Sequence, residues 1–423
     1  MAQTDKISNA GDVSIEDVTI ITAAGFAQTI TPQVIAIEIF EDVFSPFISG
    51  KLVVKESQDL TNLFPLLGEE TVRLNIVTPS LPEKDAYKGE YFLYKLDDRI
   101  KTQERELVYV LHFISKEAIN DLNTKTSRAY SGKVSDIVRE ILTKKDGLDT
   151  KKKVNIEETK NTTKFVSNFW APSKNLQVAC DNAVNENGSP SYVFFENKYA
   201  LNFISLETLY TGAPLIQRFK WDNYSAEVRP TGGSDTDIEK DYQRVLELNM
   251  NETFDYIERI RNGMYGSEII YYDLMTKQYV HKAYGPEFKE DKHLNDHPLY
   301  SEKIPVRSKA MLMLEHQYYN NFDGFDNTSN TKIIQRRKHL LTVAEAYKIS
   351  ITVWGRTDYS VGQRVYLEVP KTAQLGPKDD PIDQYMSGVY LISALCHLIN
   401  RESHTCVIEL TKDSFLVDPN DPK

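Results

Sequence analysis

Gly68-Glu69-Glu70-Thr71-Val72-Arg73-Leu74-Asn75-Ile76-Val77, followed after a loop by Gly89-Glu90-Tyr91-Phe92-Leu93, is answered near the other end of the chain. There Gly362-Gln363-Arg364-Val365-Tyr366-Leu367-Glu368-Val369 is followed by Gly388-Val389-Tyr390-Leu391-Ile392. In each copy a glycine precedes three apolar residues spaced by two, and a second glycine leads a Gly-x-Tyr-x-apolar run. A period of two is the mark of a half-buried strand. The first copy closes on Leu107, Tyr109, Leu111 and Phe113, the second on Val407 and Glu409 with the apolar neighbours Ile408 and Leu410. Each copy reads as a strand, a loop and a long hairpin. A one-residue slip in the second closing strand would exchange its core and outer faces. A chain that builds one small β-unit twice makes a scaffold, and the duplication points to a ring.

Around the first copy the period of two extends from Val18 to Phe113. Val34–Phe40, Lys51–Val54, Thr71–Val77, Tyr91–Leu96 and Glu106–Ile114 are rich in Val, Ile, Tyr and Phe and punctuated by Gly, Pro and Asp. The polar stretch Asp97 to Arg105 is the expected hairpin tip, and residues 1–16 are expected to be loose. About six strands are enough for a closed or nearly closed barrel. The period then changes. Val134, Ile137, Val138, Ile141 and Leu142 form a helix face, with Ser131 as expected cap and Gly147 as stop. A second helix follows Pro172, with Ser173 as cap, a face of Leu176, Ala179, Cys180 and Ala183, and Gly188 as stop. A hairpin of Ser191–Phe195 and Tyr199–Phe203 turns near Glu196-Asn197. Glu227–Asp241 reads as a linker, and Val245–Met250, Glu268–Tyr272 and Tyr279–Tyr284 as strands. Ile333–Ala346 reads as a helix, with Ile334, Leu340, Leu341 and Ala344 near one face.

The expected fold class is mainly β with α+β inserts. It comprises a first β-barrel over 15–115, an α+β insert domain over 116–240, and a second barrel from 241–284 and 333–415. Residues 285–332 form an insertion of unknown role. The chain of 423 residues, 41% hydrophobic and 26% charged, has the composition of a folded protein with real cores. A net charge of −11 argues against gripping nucleic acid, which calls for clustered Lys and Arg. No run approaches the length of a membrane helix, and the first residues lack an apolar signal core, so no membrane insertion and assembly in the cytoplasm are expected. Cys180, Cys396 and Cys406 show no C-x-x-C spacing. Cys396 and Cys406 fall on the two arms of the last hairpin, but buried thiols are expected rather than a disulfide.

No catalytic constellation stands out. His293 and His297 have zinc-pair spacing, yet Pro298 follows and the segment reads as a solvated loop. His397 reads as a core histidine. Glu69-Glu70, Asp97-Asp98 and Asp379-Asp380 are adjacent turn acids, not carboxylates facing across a cleft. There is no G-x-S-x-G, Walker loop or G-x-G-x-x-G. Arg336-Arg337-Lys338 reads as the exposed face of its helix. No catalytic, cofactor or metal residues are therefore assigned, and no enzyme activity is expected. Phe44, Pro46 and Phe47, two aromatics beside a proline outside strand alternation, are candidate inter-barrel contacts.

Ile39-Phe40-Glu41-Asp42-Val43-Phe44-Ser45-Pro46-Phe47, Gly50-Lys51-Leu52-Val53-Val54 and Pro65-Leu66-Leu67-Gly68-Glu69-Glu70 together resemble the N-terminal barrel of baseplate hub proteins from contractile-tailed bacteriophages. The far end is similar too, from helix 333–346 through Ile349–Val353, Gly362-Gln363-Arg364-Val365 and Gly388–Ile392 to Phe415. The order of elements is similar to that family, and to the N-terminal part of VgrG spike proteins, from about residue 15 to 415. The resemblance implies two tail-tube-like barrels per chain and a homotrimer whose six barrels surround a channel. It implies a hub in the virion tail baseplate that joins a hexameric tail tube to a trimeric central spike. Its partners would be the spike, tube, tape measure and other baseplate proteins, with DNA only in transit. The competing readings are a tail-associated cell-wall hydrolase and a stand-alone β-rich binding module.

Overall fold

The computed structural model describes residues 7–419 apart from 58–65, 104–105, 222–234, 253–254, 274–276, 301–309, 316–329 and 372–380. The chain opens with β1 (Ser14–Ile21), β2 (Ala27–Thr29), β3 (Val34–Asp42), β4 (Ser49–Glu56), β5 (Thr71–Val77), β6 (Tyr87–Gln103) and β7 (Glu106–Ser115). Alternate residues of these strands, among them Val18, Ile37, Leu52, Val72, Tyr91, Leu111 and Phe113, converge on one core. Among the described residues the cluster draws its members from these strands and the segments that connect them, together with Ile399. Each such side chain taken fully out of water stabilises the unit by about 1.5–3 kcal/mol.

The middle of the chain forms the α+β part. It holds α1 (Lys116–Asn123), β8 (Thr126–Lys133), α2 (Val134–Thr143), β9 (Val154–Ile156), β10 (Thr162–Trp170), α3 (Pro172–Asn182), β11 (Tyr192–Asn197), β12 (Ala200–Ser205), α4 (Leu206–Gly212) and β13 (Leu215–Lys220). Val134, Ile137, Val138, Ile141 and Leu142 of α2 pack on Leu176, Ala179 and Cys180 of α3 and on Tyr192, Leu201 and Phe203. Then come α5 (Asp235–Gln243), β14 (Val245–Glu252), α6 (Tyr256–Asn262), β15 (Ser267–Asp273), β16 (Gln278–Tyr284), β17 (His297–Pro298), β18 (Ala310–Glu315) and α7 (Asn330–Ala344). The chain finishes with β19 (Lys348–Trp354), β20 (Arg364–Glu368), β21 (Gly388–Asn400), β22 (His404–Thr411) and β23 (Ser414–Phe415).

One large sheet runs in the order β14-β19-β22-β21-β3-β4-β7-β6-β5-β1-β2, with β20 beside β21 and β13 parallel to β20. Among the described residues the first unit's ladder thus does not close on itself; at β3 it continues into the second. β13 leaves the α+β part to join the second unit's sheet, and Phe219 enters that unit's core. β15 pairs antiparallel with β16 and parallel with β18 in a separate three-stranded sheet.

Several local expectations need correction. Asp97–Gln103 is not a tip: β6 continues to Gln103, paired with Glu106, because the backbone ladder to β7 persists through this charge-rich stretch. Residues 9–12 are not loose, since Gly11 lies against Trp354 and its carbonyl accepts the His404 N–H at 2.8 Å. Ser131 belongs to β8, and the first turn of α2 is capped from afar by Thr159, whose hydroxyl accepts the Ser135 N–H at 3.0 Å. Ser173 lies inside α3 and gives its N–H and hydroxyl to Asp121. The helices end at Thr143 and Asn182, well before Gly147 and Gly188. The β11–β12 turn falls at Lys198-Tyr199. Of the expected linker, residues up to 234 lie outside the described residues, and the remainder is the helix α5. The buried residues of α7 are Gln335, His339, Leu340, Val343 and Ala344, rather than Ile334.

The basic cluster is not an exposed face. Arg336 binds Asp291 at 2.7 Å and the Gly188 carbonyl at 3.1 Å, and Arg337 binds Asp181 and the carbonyls of Pro190 and Tyr192. These guanidiniums clamp α7 to the α+β part. Nor is His293 solvated. Its Nδ1 meets Asp413 at 2.7 Å and its ring stacks on Phe288, while His297 pairs with Phe415 in the ladder β17–β23. All three cysteines are free thiols; Cys396 stands opposite Val407 and Cys406 opposite His397, so the two are out of register.

Candidate assembly interface

The duplication is visible residue by residue in the strand registers. Val72 faces Tyr91 and Leu74 faces Gly89 in the first unit; Val365 faces Tyr390 and Leu367 faces Gly388 in the second. Gly68 and Gly362 both take left-handed backbone, at φ +86° and +84°, where the chain turns toward these strands. Leu93 pairs with Phe113 and a bulge follows; Ile392 pairs with Leu410 and a bulge follows. Val34 pairs with Val54 across a bulge, as Val245 does with Val353. β3, β4, β5, β6 and β7 therefore correspond to β14, β19, β20, β21 and β22. Bulges kept at matching positions set a strand's bend and are structural features in their own right. The correspondence also fixes the last strand: Cys406, Ile408 and Leu410 face the core, as Tyr109, Leu111 and Phe113 do. The alignment on Val407 and Glu409 was one residue out.

Within the chain the two units are joined by one seam. The C-terminal half of β21, Ala394 to Asn400, pairs antiparallel with Asp42 to Ala36 of β3. Two buried polar clusters tie this seam to the α+β part. Glu41, on β3, accepts hydrogen bonds from the Ser360 hydroxyl at 2.7 Å and from the N–H groups of Val361 and Lys198 at 3.2 Å. Burial raises the Glu41 carboxyl and pushes the Lys198 ammonium down to about 8, against the opposing pull each exerts on the other. Lys198 donates to the carbonyls of Asp85 and Thr357. Lys152 bridges Glu117, at 2.7 Å, and Glu196, which also accepts the Ile48 N–H at 3.1 Å. Burial opposes ionisation of Glu117, but Lys152 and the Ser115 and Thr150 hydroxyls hold it below its ordinary range.

Correspondence of the units exposes an asymmetry. β21 uses its C-terminal half to hold β3, whereas the matching half of β6, from Lys95 onward, pairs only with β7. β3 is held on both edges, whereas its counterpart β14 is the last strand of the sheet. Among the described residues these two edges have no strand partner. Both carry exposed apolar side chains: Tyr94, Leu96 and Ile100 (59% exposed) on β6, Leu246 and Met250 (53%) on β14. An unpaired edge with exposed apolar side chains is a template for strand addition. The sequence signal was present in the continuing alternation of Tyr94, Leu96 and Ile100, masked by the acids and lysines between them.

The candidate contacts Phe44, Pro46 and Phe47 lie in the connection from β3 to β4. Phe44 is exposed, its N–H bound to Asp42 at 2.7 Å, and Pro46 is half-buried. Phe47 meets Phe194 of β11 edge-on, with ring centroids 6.5 Å apart, and so touches the α+β part.

Solved structures with this architecture exist. The tail protein from Neisseria meningitidis MC58 matches with a TM-score of 0.57 at 11% identity, covering 95% of this chain and 99% of that one. The 43 kDa tail protein of prophage MuSo2 from Shewanella oneidensis matches with a TM-score of 0.56 at 9% identity, covering 94% and 98%. This chain shares the fold of tail proteins. At such identity the likeness is one of fold, and it spans nearly the whole of each chain. No protein-family model matches the sequence, and no curated protein matches it.

Proposed function

We propose that this chain is a structural protein of a phage-type tail, the central hub of a baseplate. Three copies would close a ring of six β-units that joins a hexameric tail tube to a trimeric spike. The observation that carries the reading is the pair of corresponding edges, one seam filled within the chain and its counterpart left open. Transferring the filled seam onto the open edges sets Lys101 of one chain opposite Leu248 of the next, and Ile100 opposite Asn249. Such a head-to-tail contact closes into a ring when its rotation permits. Two corresponding units per chain let a three-fold object present six similar faces. The division into barrels over 15–115 and over 241–284 with 333–415, around an α+β domain over 116–240, belongs to this proposal, with β15 and β16 forming a side sheet of the second unit and β13 lent to it by the α+β part. So do an aromatic contact from Phe44, Pro46 and Phe47 between neighbouring barrels and a role in the virion. The net charge of −11 suits a channel through which DNA slides without counterion-release binding.

The test is the mass and shape of the purified chain, alone and with its spike partner. A mass three times 48.5 kDa and a ring with a central hole are expected. Ile100→Asp and Met250→Asp change side chains exposed in the single chain, so each should leave a folded monomer and abolish the ring. A monomer that persists at high concentration with the spike present would overturn the proposal and favour a stand-alone binding module. Clearance of peptidoglycan by the purified chain would point to a hydrolase instead.

A further inference from the structure

The last hairpin buries a cluster that structural scaffolding does not require. His397 of β21 stands directly opposite Cys406 of β22, and His404 lies two residues before Cys406 on the same face. All three side chains are essentially inaccessible to solvent. His397 Nδ1 lies 3.0 Å from His404 Nε2, and Cys406 Sγ lies 3.3 Å from the first and 3.5 Å from the second. Among the described residues this is the one group of three His, Cys, Asp or Glu ligand atoms that converge within metal-binding distance.

Hydrogen bonding alone does not satisfy that triangle. A neutral imidazole nitrogen is either donor or acceptor, and the thiol has one proton. Three such groups make at most two hydrogen bonds along three short sides. The outward Nδ1 of His404 has no partner among the described residues, and neither does the buried hydroxyl of Tyr359. A buried polar group without a partner needs an explanation, and an ion is one of the few available. We propose that His397, His404 and Cys406 are the ligands of a buried zinc ion.

The dimensions agree. Zinc bonds of about 2.0–2.1 Å to nitrogen and about 2.3 Å to sulfur, in a tetrahedron, separate two nitrogens by about 3.3 Å and nitrogen from sulfur by about 3.6 Å. Two imidazoles and a thiolate suit zinc in preference to the hard cations, which take oxygen. The ring of His404 is set by Gly355, whose N–H donates to the His404 carbonyl at 2.8 Å. A Cβ on Gly355 would stand 2.2 Å from the His404 ring, so only glycine admits it. The ion would staple the two arms of the hairpin where β21 runs along β3, and where the Tyr87 ring meets His397 edge-on at 5.6 Å. Binding there releases the thiol proton and links metal occupancy to stability.

Elemental analysis of the full chain, purified without a histidine tag or chelator and dialysed after zinc addition, tests the site. About one zinc ion per chain is expected. Cys406→Ser and His404→Gln should abolish retention, and Cys396→Ser, on the other face, should leave it intact. Should Cys406→Ser fail to fold, cobalt(II) added to the wild type and to Cys396→Ser decides the matter. A thiolate-to-cobalt charge-transfer band in both supports the site. A folded wild type with zinc at the buffer level, zinc retained unchanged in Cys406→Ser, or a cobalt spectrum without the thiolate band overturns it.

Discussion

Replacing Glu41 by Gln probes whether the three parts of the chain are locked through one carboxylate. Glu41 is 2% exposed, and its two oxygens accept from Ser360, Val361 and Lys198, which come from the second unit and the α+β part. A glutamine keeps one of those oxygens. Either orientation of its amide turns an NH2 group toward a buried N–H, leaving at least one donor unsatisfied at a cost of about 1–3 kcal/mol. The change also removes the negative charge near Lys198, and breaking a buried pair costs about 3–5 kcal/mol. Burial raises the Glu41 carboxyl, so part of the second cost is already present in the wild type. The expected net loss is about 3 kcal/mol, below the roughly 4–8 kcal/mol to which those costs would sum, because part of the second is already incurred. Denaturant midpoints of the wild type, Glu41→Gln, Lys198→Met and the double variant measure it. The double variant should fall short of the sum of the singles by more than about 1 kcal/mol, as residues in contact do. Strict additivity, or a Glu41→Gln loss below about 0.5 kcal/mol, the range of ordinary surface changes, would refute the keystone reading.

His339 supplies a pH test. Its Nδ1 meets the Met264 carbonyl at 2.5 Å, and burial pushes its pKa down to about 4 from 6.5. A folded value below the unfolded one gives stability that is present above pH 6.5 and lost as pH falls through 4. Wild type should therefore lose about 3 kcal/mol more than His339→Gln between pH 7 and 4, read from denaturant midpoints. Gly50→Ala would set a Cβ 2.2 Å from the Phe113 ring and 2.4 Å from the Glu38 carbonyl, and a loss of about 3 kcal/mol in thermal unfolding is expected. The equivalent pair in the second unit, Ile349 opposite Leu410, shares the volume more evenly, and Ile349→Val should cost only about 1 kcal/mol. Arg337→Ala strips the Pro190 and Tyr192 carbonyls of their donor; hydrogen exchange should quicken in β11 and at the C-terminal end of β12, where Ser205 pairs with Tyr192, before it does in β4 or β7.

What the sequence makes readable is what depends on neighbours in the chain. Val72, Leu74 and Ile76, their counterparts Val365 and Leu367, and the face of α2 follow from spacing alone, and they lie in the cores as expected. The last hairpin was harder. Cys406, Ile408 and Leu410 alternate inward, but Val407 offered an equally apolar start, and only pairing with β19 and β21 decides between the two registers. Arg336 and Arg337 looked like solvated charge because their partners, Asp291, Asp181 and two carbonyls, come from distant segments. Long-range capping hid the helix starts in the same way: Thr159 and Asp121 do the work assigned to Ser131 and Ser173. The open edges of β6 and β14 could be recognised only once the two units were aligned strand by strand. The histidine and cysteine cluster depends on a β-register that no local pattern encodes.

The seam between β3 and β21 also has a history in time. The Arg401 guanidinium reaches the Val34 carbonyl across 367 residues of chain. At about 5–20 residues per second, a ribosome needs roughly 20–70 s to supply the strand that covers β3. Throughout that interval the nascent first unit shows an uncovered edge like the one the finished chain keeps on β14. Neighbouring ribosomes on one message would hold several such edges close together. The late arrival of residues 394–400 therefore makes synthesis itself a period of competition between a chain's own C-terminus and its neighbours.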